Sequence, residues 1–246
     1  MRRSASIAFV LALVADVAVA QVLLPEPRAS ASRSGWGLDV AIQVAQPVHA
    51  FADNVDVAFG VGSSVRHHFR WFRPLGVRGD FALMNYGNER QRVPLSSTVN
   101  RVTVEMNTSN NILVLAGGPE LAVMHGPIRP YVHAFAGYSH FFTESTAGDD
   151  DGGGTFARST NFSDGGLATG GGAGVRLPLR ARVTEISIDG GARFTRNGVR
   201  SYLRRGDVID QPDGTLVFTP RVTDADFWVY YLGISLDFGR SNRRGD

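Results

Sequence analysis

The 246-residue chain has no cysteine and no lysine. Without thiols there is no disulfide framework, no thiolate zinc site, no cysteine nucleophile and no lipoprotein anchor. Without lysine there is no Walker-type phosphate loop and no Schiff-base chemistry. Apolar runs of ~20 residues are missing, and a mean hydropathy of −0.06 excludes a bundle of transmembrane helices. Excess charge of one sign is missing as well. Twenty-five basic residues, all arginine, face 23 acids for a formal charge of +2. No basic block marks a nucleic-acid surface, so no nucleic-acid partner is expected. What the chain has in quantity is glycine, 29 residues, or about 12% against a usual ~7%.

Residues 1–20 (MRRSASIAFVLALVADVAVA) read as an export signal. Arg2 and Arg3 form a positive start, residues 7–15 an apolar run, and Ala18-Val19-Ala20 a small-x-small cleavage site. The run is too short to span a bilayer. Residues 21–34, with two prolines and a small polar stretch, read as a flexible tether.

After Gly35 the dominant signal has period two, the mark of strands with unlike faces. Trp36, Leu38, Val40, Ile42 and Val44 share one face, opposed by Gly37, Asp39, Ala41, Gln43 and Ala45. The same contrast recurs around 55–66, 75–83, 112–124, 167–177, 185–194 and 227–238. Residues 130–142 are strand-like, but their faces are not distinguishable. Eight strands of about 11 residues follow, with no helical stripe beyond the leader. Connections 69–74, 125–129 and 178–182 are short; 87–110, 143–166 and 195–226 are long, and 46–54 is intermediate. In an up-and-down barrel alternate connections lie at opposite ends. One end therefore has tight turns and the other long loops, the habit of transmembrane barrels. The fold class expected is all-β: a single antiparallel up-and-down transmembrane β-barrel over residues 35–238, with a tail at 239–246. Segments 101–106 and 215–222 also alternate. They either extend strands four and eight above the membrane or add two strands, making ten.

Alternation alone does not say which face is outside. The polar face is mid-strand glycine, alanine and serine, which suits a narrow lumen better than a water-facing sheet. Its charges are mixed in sign: Arg66, Arg78, Asp80, Glu120, Arg176, Glu185, Asp189 and Arg193. Buried charges are tolerable only when paired, so these eight are expected to form a structural cluster inside a closed barrel. Aromatics fall at strand ends, where an interfacial girdle would put them: Trp71, Phe72 and Tyr131 at the tight turns, and Phe141, Phe142, Phe194, Phe227 and Trp228 toward the long loops. The competing arrangement is a soluble periplasmic barrel with an aliphatic lumen for an apolar ligand.

The last strand, residues 228–238 (WVYYLGISLDF), alternates apolar residues and ends on Phe238. It resembles the terminal strand of bacterial outer-membrane β-barrels. The stretch Pro130-Tyr131-Val132 to Gly137-Tyr138 is similar to the fifth strand of the small members. With the leader, the pattern covers nearly the whole chain and resembles the eight-stranded OmpA and OmpX type without a peptidoglycan-binding domain. The resemblance implies location in the cell outer membrane and contact with its lipid and lipopolysaccharide. It also implies a monomer, and delivery by the barrel-assembly machinery, which reads Tyr230, Leu232, Ile234, Leu236 and Phe238. Eight residues follow Phe238, where the family usually stops.

Chemistry is sparse. Of six histidines, His133 and His140 lie seven apart on one strand and so point to opposite faces. No local cluster of metal ligands or cofactor-binding motif stands out. Some small barrels modify lipid A with an outward serine and histidine, which keeps a lipid A-modifying enzyme as an alternative. Here Ser139 and His140 are adjacent and also point apart, and no catalytic residue is assigned. Asp149, Asp150 and Asp151 with Asp164 could ligate calcium, but the spacing is not that of an EF-hand, and a solvated acidic loop is the plainer reading. Arg-Gly-Asp occurs at 78–80, 205–207 and 244–246. Only the 205–207 copy is placed where a receptor could reach it, and its plainer reading is a turn. The function expected is a non-catalytic barrel with a filled lumen and long surface loops, in envelope structure or surface interaction.

Overall fold

The computed structural model describes residues 33–94, 103–149, 155–181, 184–204, 206–210 and 216–239. The expected signal (1–20), most of the tether and most of the tail lie outside the described residues.

Seven strands run in succession: β1 Arg33–Pro47, β2 Ala58–His68, β3 Leu75–Pro94, β4 Thr103–Ala122, β5 Arg129–Asp149, β6 Thr155–Ala181 and β7 Thr184–Arg196. A one-turn helix, α1 (His49–Ala52), follows β1. The connection after β7 holds four short strands: β8 Val199–Tyr202, β9 Val208–Asp210, β10 Leu216–Phe218 and β11 Arg221–Asp224. The chain ends on β12, Phe227–Gly239, which pairs with β7 on one side and β1 on the other. The result is a closed antiparallel ring in which each strand neighbours the next in sequence. Closure satisfies every barrel edge, which an open sheet cannot do.

The ring contains eight strands, so the ten-stranded option is wrong. Of the 101–106 stretch, residues 103–106 lengthen β4. The described part of the 215–222 stretch, 216–222, does not lengthen the last strand. It splits into β10, paired with β9, and β11, paired with β8. Both pairings are local hairpin contacts, and alternation within a single segment carries no information about them.

Register fixes the barrel's shape. Partners traced once round the ring lead from Leu38 through Val65, Gly79, Gly117, Ala136 and Thr169 to Arg196. Thr195 pairs with Phe227 and Phe227 with Pro47, so the circuit rejoins β1 at Val48, ten residues above its start. A shear of ten over eight strands tilts them by about 40°. Ten residues at that tilt rise about 25 Å, the height of the apolar band of a transmembrane barrel. Strands β3 to β6 run on beyond the ring's rim, pairing as far as Pro94 with Thr103, Val104 with Asp149, and Gly148 with Thr155. They form a four-stranded sheet standing above the long-loop end.

The outer wall is apolar. Val40, Ile42, Phe59, Val61, Leu115, Leu167, Leu232 and Ile234 are all exposed. The polar face of each strand is inside. The alternative of a soluble barrel with an aliphatic lumen is therefore inverted. Such a molecule would show water far more contiguous apolar surface than soluble monomers carry.

Candidate functional site: a closed lumen beneath a folded crown

The lumen has two storeys. The lower one, toward the tight turns, is ionic. Arg66, Arg78, Asp80, Glu120, Arg176, Glu185, Asp189 and Arg193 are all buried in it. Arg66 donates to Asp39 (2.8 Å), Ser235 (2.7 Å) and Asp237 (2.7 Å), joining β2 to β1 and β12. Glu120 accepts from both terminal nitrogens of Arg176 (2.9 and 3.0 Å) and from Arg78 (3.3 Å), with His68 Nε2 at 3.4 Å. Arg78 Nε donates to Asp80 at 2.8 Å, and Arg193 reaches the same oxygen and Gln43. The Tyr131 hydroxyl donates to Asp189 at 2.8 Å and lies 2.9 Å from that of Tyr231. Arg176 also stacks over the Tyr131 ring, 3.9 Å from its centroid. Nearest the turns, Arg129 pairs with Glu185.

Among the described residues five arginines thus pair with five carboxylates, Tyr131 holds a sixth, Asp189, and the network crosses the barrel rather than following one strand. Sequence reasoning did not collect Asp39, Gln43, His68, Arg129, Tyr131, His133, Tyr231 and Asp237 into the cluster. Asp39 and Asp237 share the glycine-bearing face of their strands, and that was the available signal. Small residues make room for the network. A Cβ at Gly37 would strike the Arg66 guanidinium, and one at Gly174 would lie 2.5 Å from the Tyr131 hydroxyl. A cavity of about 10 Å³ remains beside Gln43, Asp80 and Arg193, room for about one water.

The upper storey is apolar. Phe51 of α1 drops into the mouth and is 1% exposed. Its ring meets Tyr202 (centroids 5.0 Å), Phe141 (6.0 Å), Tyr86 (6.3 Å) and Phe227 (6.4 Å). Ala45, Ala82, Met84, Ile112, Val114 and Val229 are among the residues packed in the same cluster. Hence Tyr131, Phe141 and Phe227, expected in an outer girdle, point inward. Luminal burial won over interfacial placement because the barrel's mouth needs large side chains to fill it. Outward aromatics do exist at both ends. Trp36, His67, Phe69, Trp71 and Phe72 follow one another near the tight turns, and Phe194 packs on Trp228 (5.3 Å) near the rim.

The crown is tied down over this plug. The Tyr86 hydroxyl donates to Leu203 O at 3.0 Å. Asp226 accepts from the backbone of Asn197 (2.8 Å) and Gly198 (3.2 Å), clasping the two ends of the 197–226 connection. Asp207 is buried, accepts from Arg204 and Arg221, and closes a turn through its own N–H to Arg204 O. Asp207 of the 205–207 copy therefore does not present its carboxylate to a receptor, and it closes a turn. Asp80, in the 78–80 copy, faces the lumen, and the 244–246 copy lies outside the described residues.

The remaining candidates separate in the same way. Ser139 is buried inside, whereas His140 faces outward between Tyr138 (6.2 Å) and Phe142 (5.6 Å). His133 is luminal, stacked with Phe135. Asp164 accepts from Ser201 N at 2.6 Å, and residues 150–154 lie outside the described residues. Among the described residues no group of three metal ligands gathers. Tyr230, Leu232, Ile234, Leu236 and Phe238 all lie on the outer face of β12, the strand that closes the ring.

An antiparallel ring with an apolar exterior and paired charges within has the construction of a transmembrane β-barrel. Only a hydrocarbon surround suits that exterior, and closure leaves no backbone edge to lipid. No family model matches the sequence, and no curated protein matches it. Among solved structures the chain is similar to Ail, the attachment invasion locus protein of Yersinia pestis, at 14% identity and TM-score 0.45, covering 83% of this chain and 99% of that one. It is also similar to Neisserial surface protein A at 12% identity and TM-score 0.39, covering 84% and 99%. The outer membrane protease OmpT of Escherichia coli is similar at 8% identity and TM-score 0.33, covering 85% and 98%.

Proposed function

We propose that this protein is a non-catalytic outer-membrane barrel that holds a folded crown at the cell surface, for envelope structure or surface interaction. One observation carries the reading: the lumen is closed twice, by ion pairs and by an aromatic plug, while the β3–β6 sheet stands clear of the rim. The wall then serves as an anchor and the crown as the working surface. The long-loop end faces outside the cell and the tight turns face the periplasm, the usual orientation of such barrels. Lipid and lipopolysaccharide contact the wall of a monomer. The barrel-assembly machinery inserts the chain through the outward face of β12. The divergence of Ser139 and His140 argues against lipid A modification.

The test is fractionation followed by gel mobility. The protein is expected in the outer-membrane fraction, to require detergent, and to run faster unheated than boiled. Recovery as a soluble periplasmic protein would overturn the proposal.

A further inference from the structure

The turn between β2 and β3 is built unlike a solvated turn. Trp71 is 78% exposed and Phe72 47%. Phe69, Trp71 and Phe72 form one stack, with centroids 5.8 and 6.1 Å apart. The stack is held by the turn's own backbone bonds, Phe69 N to Leu75 O and Leu75 N to Phe72 O, both 3.0 Å. Arg70 and Arg73 bracket Trp71 and Phe72 in the sequence and are exposed. Neither makes an ion pair among the described residues, and the turn contains no acid. The opposite end of the barrel, by contrast, exposes both signs together, Asp53, Asp56 and Asp224 with Arg90, Arg158 and Arg196.

We infer that the 69–73 turn is a binding site for anionic phospholipid headgroups in the leaflet that the tight turns face. The stacked rings suit the interface, where an apolar body and a polar edge are both satisfied. The two exposed guanidiniums of the turn offer planar forks to phosphate oxygens. A zwitterionic headgroup brings its own ammonium and gains little from them. A headgroup lacking an amine leaves net negative charge, which these arginines complement. A free phosphate would use the arginines but not the rings. The inference deepens the outer-membrane reading and rests on it.

Each arginine near an anionic surface contributes about fivefold in binding, so the pair contributes about thirtyfold. The experiment is native mass spectrometry of the folded, detergent-solubilised full chain titrated with phosphatidylglycerol or phosphatidylcholine. The wild type is expected to prefer phosphatidylglycerol by about thirtyfold. The R70Q/R73Q variant should fall to near parity, while W71A/F72A should weaken retention of both lipids and keep the ratio. An unchanged ratio in R70Q/R73Q overturns the inference, as does loss of preference in R196Q instead. Inorganic phosphate competing as well as lipid would also overturn it. A chain that stays soluble and never enters detergent micelles sinks the outer-membrane reading itself, which the lipid ratio alone does not.

Discussion

Replacing Glu120 by glutamine is expected to destabilise the barrel by about 3–5 kcal/mol, the usual cost of removing one partner from a buried ion pair. The side chain is 0% exposed and faces Arg176, Arg78 and His68 at 2.9–3.4 Å. Glutamine keeps the shape and removes the charge. Arg78 keeps Asp80 at 2.8 Å, but Arg176 is left in a water-poor lumen with Asp39 at 3.8 Å in place of its close partner. Urea unfolding in lipid vesicles measures the loss, and a change below about 0.5 kcal/mol, the ordinary range for surface sites, contradicts it. The companion variant E120M/R176M removes both charges, so it should recover part of the loss. Replacing both members of a buried pair by apolar groups is often neutral or stabilising. That recovery distinguishes an unpaired charge from simple loss of packing.

Phe51→Ala should act on the other storey. The ring is the keystone of four aromatic contacts and belongs to a one-turn helix that cannot hold itself in place. Truncating a buried phenylalanine costs about 3–5 kcal/mol. Because Phe51 carries the aromatic contact of α1 with Tyr202 of the 197–226 connection, the loss should appear first as opening of the crown. At tenfold per 1.4 kcal/mol, 3 kcal/mol raises the open population by about a hundredfold. Trypsin cleavage at Arg200, Arg204 and Arg221 reports that population when reclosing is fast. Unchanged cleavage would show that the plug does not support the crown.

These two sites mark where the sequence was readable and where it was not. Strand existence was legible because lipid demands apolar side chains on every second residue, and the narrow lumen demands small or paired ones. The connections 87–110 and 143–166, expected as long loops, are instead mostly strand, because β3 to β6 pair on beyond the barrel where no apolar wall marks them. The contrast survives along β1, β2, β6 and β12. It fades wherever the lumen itself is apolar. On β4, Ile112 and Val114 point inward beside outward Leu113 and Leu115. On β5, Tyr131, His133 and Phe135 point inward while Val132 and Tyr138 point outward, so both faces look alike. Periodicity therefore could not place Tyr131 or Phe141, whereas on β12 Phe227 shares the parity of inward Val229 and Tyr231, and the girdle expectation overrode that signal. Phe51 carried no signal at all. Its place depends on residues from β3, β5 and β12 and the last long connection. The same limit applied to 215–222, whose partners are set by hairpin contacts within that connection.

The central claim is that the apolar face of the strands meets lipid and the polar face is sealed inside. A chain without cysteine allows a direct test: single cysteines at Ile42, Leu115, Leu232 and Ile234, each carrying a nitroxide label, in the protein reconstituted into bilayers. All four side chains lie on the outer wall. Collision with oxygen, which partitions into hydrocarbon, should exceed collision with a water-soluble nickel chelate at every one of these positions, with the protein folded throughout. Nickel access exceeding oxygen access at these sites would place the wall in water and contradict the inside-out barrel.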